Sequence, residues 1–237
     1  MNVLVINASL KGESSHSKMV ADSFVSGIES AGDIKVTTIE LGKMNIGHCR
    51  GCFYCWKVKP GSCVIDDDMT YIREQILAND VIVFAFPLYF FGVSSLLKTM
   101  LDRLLPLKMP YKGRLAKEDD LISMDFRYDL SKKKLVLVSS CAHASTDYVY
   151  DSVKLQFDMI CGRGNYSTVF CPQGEILMLP QMQPILKAYL DKVKAAGVEF
   201  ASDGKLSDET TKKVCAPLIP VRAVEKMMTG YWEDYPQ

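Results

Sequence analysis

The chain has 237 residues, of which 48% are hydrophobic and 24% are charged, as in an ordinary globular protein with one enlarged domain or two small ones. Lys+Arg and Asp+Glu both number 28, so the formal net charge is zero. Without a broad basic field, the sequence predicts neither nucleic acid nor a membrane as a partner.

Strand-like apolar runs alternate with helical patterns along the chain. The predicted strands are 1–7, 34–41, 80–87, 134–140 and 166–171. The predicted helices are 17–31, 66–79, 94–105, 148–161 and 184–196, the second with acidic residues in its first turn. Such alternation implies right-handed crossovers, so we predict an α/β fold: a doubly wound, five-stranded parallel sheet with helices on both faces.

Two regions are additional to these five strand–helix units: residues 106–131 and a tail from about residue 198 to 237. In the tail, Ser207 is predicted to cap one short helix and Pro220 to start another. We assign residues 1–197 to the main domain, with a cysteine-rich insertion at 44–65 and a second insertion at 106–131. Residues 198–237 are then a helical extension that packs on the domain or on a partner subunit.

The apolar runs are too short for a signal core or a membrane span; residues 3–6 and 81–88 are strand-sized. We therefore expect a cytoplasmic protein. In a reducing compartment disulfides are rare, and clustered cysteines indicate metal or redox chemistry.

The loop after the first predicted strand reads ASLKGESSHS from Ala8 to Ser17. It matches neither the dinucleotide fingerprint nor the P-loop. It is rich in hydroxyls and leads into a helix N-terminus, whose unpaired N–H groups suit a phosphate monoester. We predict a phosphate site formed by Ser9, Lys11, Ser15, His16 and Ser17. A polar turn before an N-capped helix is the simpler alternative.

Two further loops are expected at the same edge of the sheet, where ligands of such folds bind. The third predicted strand ends in an aromatic loop, in which Tyr89 or Phe90 would stack on a flat ring. We expect Phe91 to pack on the core or on a partner subunit, and His143 to be solvated or to touch the ring. The candidate ring-binding residues are Pro87, Leu88, Tyr89, Phe90, Ser140, Cys141 and His143.

Four of the eight cysteines lie in one segment with the spacing C-x2-C-x2-C-x7-C: Cys49, Cys52, Cys55 and Cys63. Four interpretations compete: an iron–sulfur cluster, zinc, disulfides, or small apolar side chains. One loop can supply three corners of a cubane cluster while a later cysteine closes the site, and Gly51 and Gly61 permit sharp turns. Structural zinc sites more often pair two separated C-x2-C knuckles. The spacing favours the cluster first, thiols without metal second and zinc third; the other four cysteines are expected to be small core residues.

Together these segments resemble the flavodoxin-like NAD(P)H-dependent FMN reductases, and within them the iron–sulfur flavoprotein branch. The resemblance rests on the serine loop 9–17, the cysteine motif, the VIDDDM segment 64–69, the Pro87-Leu88-Tyr89 tripeptide, and Leu97-Lys98-x3-Asp102-Arg103. It is good to about residue 105 and poor beyond about 170. Where the family usually has Gly-Ser-Pro-Arg, this chain has Ala8-Ser9-Leu10-Lys11, so that Lys11 replaces the planar arginine fork with a point charge.

The resemblance implies a flavodoxin-like fold that holds FMN, with the phosphate at the first loop and the isoalloxazine ring between the other two. We expect FMN rather than FAD because the serine loop lacks the dinucleotide glycines. The flavin would carry the hydride chemistry, so we expect no catalytic side chain.

Two main functions follow from the resemblance, and a flavin-free metal-binding protein is a third, distant alternative. One is an FMN oxidoreductase that takes hydride from NAD(P)H and reduces a small-molecule or protein electron acceptor. The other is an electron carrier, in which FMN and a 4Fe–4S cluster held by Cys49, Cys52, Cys55 and Cys63 serve protein partners. A homodimer or homotetramer is expected in either case.

Overall fold

The protein is described by a computed structural model, which covers residues 1–110 and 125–233. Its strands form one sheet in the order β2-β1-β3-β4-β5, and every neighbouring pair is parallel. The strands are β1 (Asn2–Asn7), β2 (Lys35–Glu40), β3 (Val81–Pro87), β4 (Lys134–Ser140) and β5 (Ser167–Cys171). This is the flavodoxin-like strand order, so the predicted fold class is confirmed.

The helices follow the predicted alternation and differ from it mainly at their ends. They are α1 (His16–Glu29), α2 (Tyr54–Lys57), α3 (Met69–Ala78), α4 (Ser95–Asp102), α5 (Asp151–Cys161), α6 (Gln183–Asp203), α7 (Asp208–Cys215) and α8 (Val221–Glu233). Helix α6 continues past the predicted end at Ala196 to Asp203, where Gly204 stops it with a φ of 70°. Helix α3 begins three residues later than predicted, because the preceding aspartates bind loop amides instead (see below).

The sheet is covered on both faces, and alternate residues of each strand enter opposite cores. In β1, Val3 and Val5 pack in the core that contains Phe24 of α1. Leu4 and Ile6 enter the other core, beside residues of α3, α4 and α5. Double coverage explains why β3 is apolar along nearly its whole length rather than alternating with polar residues.

Helices α1 and α6 cross at two glycines that let their backbones touch. A Cβ atom added to Gly27 would lie 2.0 Å from the carbonyl oxygen of Lys194. A Cβ atom added to Gly197 would lie 1.9 Å from the carbonyl oxygen of Phe24. No side chain fits at either position unless the helices separate.

The C-terminal helices pack on the main domain. The hydroxyl of Ser207 accepts a hydrogen bond from the Thr210 amide and caps α7, as predicted, and α8 begins directly after Pro220. Val214 of α7 joins the core beside α1 and α6, and Val224 of α8 joins a small cluster with Ile176 and Met182. The proposed boundary at 197/198 falls inside α6 and stays a prediction.

Residues 111–124 of the predicted insertion 106–131 lie outside the described part of the chain, as do residues 234–237 of the tail. In the remainder of the insertion, Lys108 and Phe126 form an antiparallel bridge. None of the helices in residues 1–110 and 125–233 has both the length and the apolar character needed to cross a membrane.

We predict that Gly197→Ala lowers the free energy of unfolding by on the order of 2–3 kcal/mol, because the added methyl overpacks the α1–α6 contact. Gly230→Ala in α8 is the matched control, since nothing lies within 4 Å of a Cβ built there. There the better helix propensity of alanine should stabilise the protein by about 0.5–1 kcal/mol. Urea denaturation measures both, and equal effects of the two variants would contradict the close approach.

Candidate functional site

Three loops meet at the carboxyl edge of the sheet, and we call them the rim loops: residues 8–15 after β1, 88–94 after β3 and 141–150 after β4. They come together because β1, β3 and β4 are neighbours and parallel, with Pro87 opposite Ser140 in register. Hydrogen bonds also join them directly. The Leu88 amide donates to the Ser140 carbonyl at 3.0 Å, and the Ser94 hydroxyl donates to the Ala8 carbonyl at 2.8 Å.

The serines of the first rim loop are held in place at the start of α1. Ser15 caps the helix by accepting from the Lys18 amide at 3.2 Å. The hydroxyls of Ser17 and Ser140 are 2.8 Å apart, and the Ser140 amide donates to the Ser17 hydroxyl at 3.2 Å. Ser9 accepts from the Lys11 amide. These hydrogen bonds connect the predicted phosphate site, at the start of α1, to the end of β4.

The positive charges of this segment differ in how they are engaged. Lys18 forms ion pairs with Glu13 and Asp22, whereas Lys11 is exposed. The pKa of His16 is lowered by burial and by the charge of Lys11, against a smaller opposing effect of Glu175. Lowering the pKa favours the neutral imidazole, so Lys11 is the exposed cation that this loop offers to an anion.

The second rim loop is a tight hairpin with an aromatic tip. Tyr89 and Gly92 exchange both backbone hydrogen bonds, at 3.1 and 3.0 Å. Phe90 and Phe91 both have positive φ, at 49° and 61°, as in a type I′ turn, which glycine and asparagine normally occupy. Tyr89 is 57% exposed and Phe90 is 99% exposed, so neither ring enters the core.

Phe91 does not pack on the core either, contrary to that part of the sequence interpretation. Its ring centroid lies 5.4 Å from that of His143, and its carbonyl accepts from the Ser152 hydroxyl. The turn directs the ring across the rim, onto the loop after β4. Phe91 and the exposed His143 thus form one wall at the rim, and we call the space between the three rim loops the crevice.

The remaining predicted rim residues form the framework beneath the exposed side chains. Leu88, Ser140 and Cys141 are buried, and Pro87 is partly buried. The predicted binding residues are therefore close together, but only Lys11, Tyr89, Phe90 and His143 present exposed side chains.

The four clustered cysteines line a single cavity. Cys49 and Cys52 are exposed, Cys63 is partly exposed and Cys55 is buried in α2. Gly51 and Gly61 have φ values of 62° and 87°, which confirms the sharp turns predicted at both. All eight cysteines fall within the described ranges as free thiols, so disulfides do not account for the motif.

Of the bulky residues in this loop, Phe53 and Tyr54 line the cavity, whereas Trp56 does not belong to its lining. Trp56 turns away and donates its indole N–H to the carbonyls of Leu105 and Lys108, at 3.2 and 3.0 Å. Phe53 packs against Trp56, with ring centroids 5.3 Å apart, and lines the cavity together with Tyr54.

A buried ion pair closes the base of the cysteine loop. Arg103 forms a two-pronged contact with Asp67, at 2.7 and 2.9 Å, and also donates to the Gly47 carbonyl. The other acceptor sites of Asp67 bind the amides of Gly47 and Met69. Both ends of the loop are therefore fixed to one guanidinium, and Asp67 binds the loop as well as the first turn of α3.

Two buried arginines lie near the thiols. Arg103 lines the cavity, and Arg73 of α3 is also buried. Burial lowers the pKa of Arg73, and the largest opposing effect on that pKa comes from Cys63. Burial also raises the pKa of the Cys55 thiol, as do Cys63, Cys49 and Cys52 around it. The Arg73 Nη1 and Arg103 Nε atoms are buried without a hydrogen-bond partner in the described structure.

These features suit a negatively charged group that four thiolates would hold. Among the described residues, no three His, Cys, Asp or Glu side chains converge on a point that one metal ion could occupy. A single zinc ion needs such convergence, whereas a cubane cluster places each thiolate on a different iron. The four thiols around one cavity and the unpaired arginine N–H groups fit a negatively charged cluster.

The sequence analysis identified the four cysteines but did not identify Arg73 as a buried arginine near them. A signal was present: in α3 the buried positions are Met69, Ile72, Arg73 and Ile76, so an arginine occupies the apolar face. An arginine at such a position needs a partner, because an unpaired buried charge is costly.

We predict that Asp67→Asn destabilises the protein by about 3–5 kcal/mol at pH 7, because it leaves Arg103 buried without its counter-ion. Asp102→Asn is the matched control, since its pair with Lys98 is about half exposed and should contribute at most about 1 kcal/mol.

Burial raises the Asp67 pKa, but the hydrogen bonds from Arg103 lower it overall. The stabilisation should therefore be present above the ordinary aspartate pKa and be lost as pH falls through the lowered value. Urea denaturation from pH 7 to pH 3 tests this, and a flat difference between wild type and Asp67→Asn would contradict it.

Solved structures of similar fold include azoreductases and an NAD(P)H:quinone oxidoreductase. An azoreductase of Bacillus anthracis superposes with a TM-score of 0.60 at 18% identity, over 84% of this chain and 100% of that one. An NAD(P)H:quinone oxidoreductase of Methanothermobacter marburgensis superposes with a TM-score of 0.59 at 16% identity, over 84% and 96% of the two chains. At this identity the likeness concerns the fold.

Curated relatives carry two kinds of name. An iron–sulfur flavoprotein of Clostridioides difficile is 30% identical over 157 residues, which are 66% of this chain and 68% of the relative. An FMN-dependent NADH:quinone oxidoreductase of Pseudoalteromonas atlantica is 32% identical over 114 residues, or 43% and 54% of the two chains. An iron–sulfur flavoprotein of Archaeoglobus fulgidus is 31% identical over 106 residues, or 42% and 46%. The chain thus spans about half the length of the last two relatives.

The sequence model of the flavodoxin-like fold family matches residues 1–162, the part that contains β1 to β4, the three rim loops and the cysteine loop. The chain belongs to this flavodoxin-like fold family.

Proposed function

We propose that the protein is an FMN-dependent oxidoreductase that takes hydride from NAD(P)H and passes electrons to a small-molecule acceptor such as a quinone. The observation that carries the proposal is the convergence of the three rim loops. A hydroxyl-rich helix start lies at one end of the crevice, and exposed Tyr89, Phe90 and Phe91 lie at the other. A phosphate needs the first feature and a flat ring needs the second.

The residues present fit FMN. The N-terminus of α1 and the exposed Lys11 would hold the terminal phosphate, and the buried serines would keep this loop in shape. Tyr89 and the wall of Phe91 and His143 would flank the ring. When bound, FMN supplies hydride transfer, so the chain needs to bind, orient and shield the ring rather than provide a catalytic acid.

The relatives support the same proposal. The names of an FMN-dependent NADH:quinone oxidoreductase and of an azoreductase solved with FMN both describe NADH-dependent reduction of small acceptors. For this chain we extend the proposal to either nicotinamide, to a cytoplasmic location and to a homodimer or homotetramer. No partner nucleic acid or membrane is part of it.

We predict that the purified protein binds FMN and not FAD, and that Tyr89→Ala weakens FMN by about tenfold, since stacking on an aromatic side chain contributes roughly 1 kcal/mol or more. Tyr89 lies at the exposed tip of a hairpin, so the fold should survive. Tyr71→Ala is the matched control, because Tyr71 is 45% exposed on α3 but does not belong to the rim. Acid release and chromatography identify the flavin, and fluorescence titration gives its affinity. Recovery of FAD alone, or equal effects of the two variants, would contradict the proposed site.

A second candidate function is that of an electron carrier, and the cysteine cavity favours it. Cys49, Cys52, Cys55 and Cys63 would hold one 4Fe–4S cluster, whose negative charge Arg73 and Arg103 would offset. Iron–sulfur clusters exchange single electrons, so a cluster beside FMN would suit exchange with a one-electron protein partner. The iron–sulfur flavoproteins among the relatives support this candidate by name alone.

We predict about four irons and four acid-labile sulfides per chain in protein prepared without oxygen. Cys52→Ala should abolish the cluster and its visible absorption while the flavin stays bound. Cys161→Ala is the control, because Cys161 lies at the end of α5, outside the cysteine loop. Full flavin content without iron would eliminate the electron-carrier candidate and leave the oxidoreductase.

A further inference from the structure

Gln173, which follows β5, is a polar side chain with no exposed surface. Its φ is 59°, a left-handed conformation that is uncommon for a residue other than glycine. A buried amide and an unfavourable backbone conformation both cost free energy, and surrounding contacts must offset them.

The side chain of Gln173 forms four hydrogen bonds that join two separate segments. Its Nε2 donates to the carbonyl of Ala144 at 2.9 Å and to that of Ile219 at 3.0 Å. Its Oε1 accepts from the amides of Leu218 and Ile219, at 3.1 and 3.0 Å. We call this arrangement the Gln173 clamp. It connects the rim loop after β4 to the segment between α7 and α8.

Further contacts reinforce the connection. The backbone amide of Gln173 donates to the His143 carbonyl at 2.9 Å. The Thr146 hydroxyl donates to the carbonyl of Cys215, at the end of α7. Ala144 and Ile219 also pack against the apolar cluster that contains Val224 of α8. The C-terminal helices are therefore bound to the same loop that carries His143.

We propose that Gln173 is a positioning residue, through which the C-terminal extension holds the loop after β4 and thereby sets the wall of Phe91 and His143 beside the flavin ring, where a flat acceptor would stack. This inference rests on the proposed oxidoreductase function. His143 contacts Phe91 directly, and its carbonyl is held by Gln173. Loosening the loop should widen the crevice, while the phosphate end at α1 keeps its own hydrogen bonds.

The test compares three variants with the wild-type protein at saturating FMN. Gln173→Met keeps the length and removes all four side-chain bonds. Gln173→Glu keeps an acceptor for the Leu218 and Ile219 amides but loses the donor to the carbonyls of Ala144 and Ile219. Tyr189→Phe is the matched control: it removes a buried hydrogen bond to the Val214 carbonyl in the same extension, without touching the rim.

For Gln173→Met, we expect the KM for a quinone to rise about tenfold, as the loss of roughly 1.4 kcal/mol of binding would give, while kcat changes little. Gln173→Glu should share the higher KM, because it also lacks the side-chain bond to the rim loop at Ala144. Tyr189→Phe should lower the melting temperature and leave KM unchanged. If Gln173→Met does not fold, Thr146→Val weakens the same connection more gently and should raise KM by a smaller factor.

Hydrogen exchange on the FMN-free protein tests the clamp independently of catalysis. The amides of Leu218 and Ile219 should exchange at least about tenfold faster in Gln173→Met, with intermediate rates in Gln173→Glu and unchanged rates in β3. Faster exchange with an unchanged KM, or an equal rise of KM in Tyr189→Phe, would overturn the positioning role. A wild-type protein that binds no flavin would overturn both the proposed function and this role, whereas altered KM values in a flavin-loaded enzyme test the role alone.

Discussion

The parallel direction of all five strands is the constraint on which the candidate site depends. It brings the ends of β1, β3 and β4 to one edge, where the loops that follow them must meet. The contact between the hydroxyls of Ser17 and Ser140 then joins the start of α1 to the end of β4, 123 residues apart in the chain. Double coverage of the sheet keeps this edge rigid, because side chains on both faces are locked in separate cores.

The cysteine loop depends on a different interaction, the buried pair of Asp67 and Arg103. Two of the thiols in this loop are exposed, and the ion pair holds the ends of the loop together. The guanidinium binds Gly47 before the cysteines and Asp67 after them, so α4 supports a loop that lies far from it in sequence. The same guanidinium lines the thiol cavity, and structural support and positive charge thus come from one side chain.

The C-terminal extension contributes to the rim as well as to stability. Helix α7 adds Val214 to a core face, while the segment after it is bound by Gln173 to the loop of His143. The family match ends at residue 162, before β5 and all of these contacts.

The sequence by itself determined the order of strands and helices, the phosphate-like loop, the exposed aromatics and the cysteine motif, because all of these are local patterns of periodicity and spacing. It placed the ends of β4 correctly, and it predicted the cap at Ser207. Only the tertiary structure decided that Asp67 pairs with Arg103, that Phe91 faces His143, and that Gln173 joins two distant segments. Those choices depend on which buried polar groups meet after folding, and partners separated by tens of residues leave no periodic trace in a single sequence.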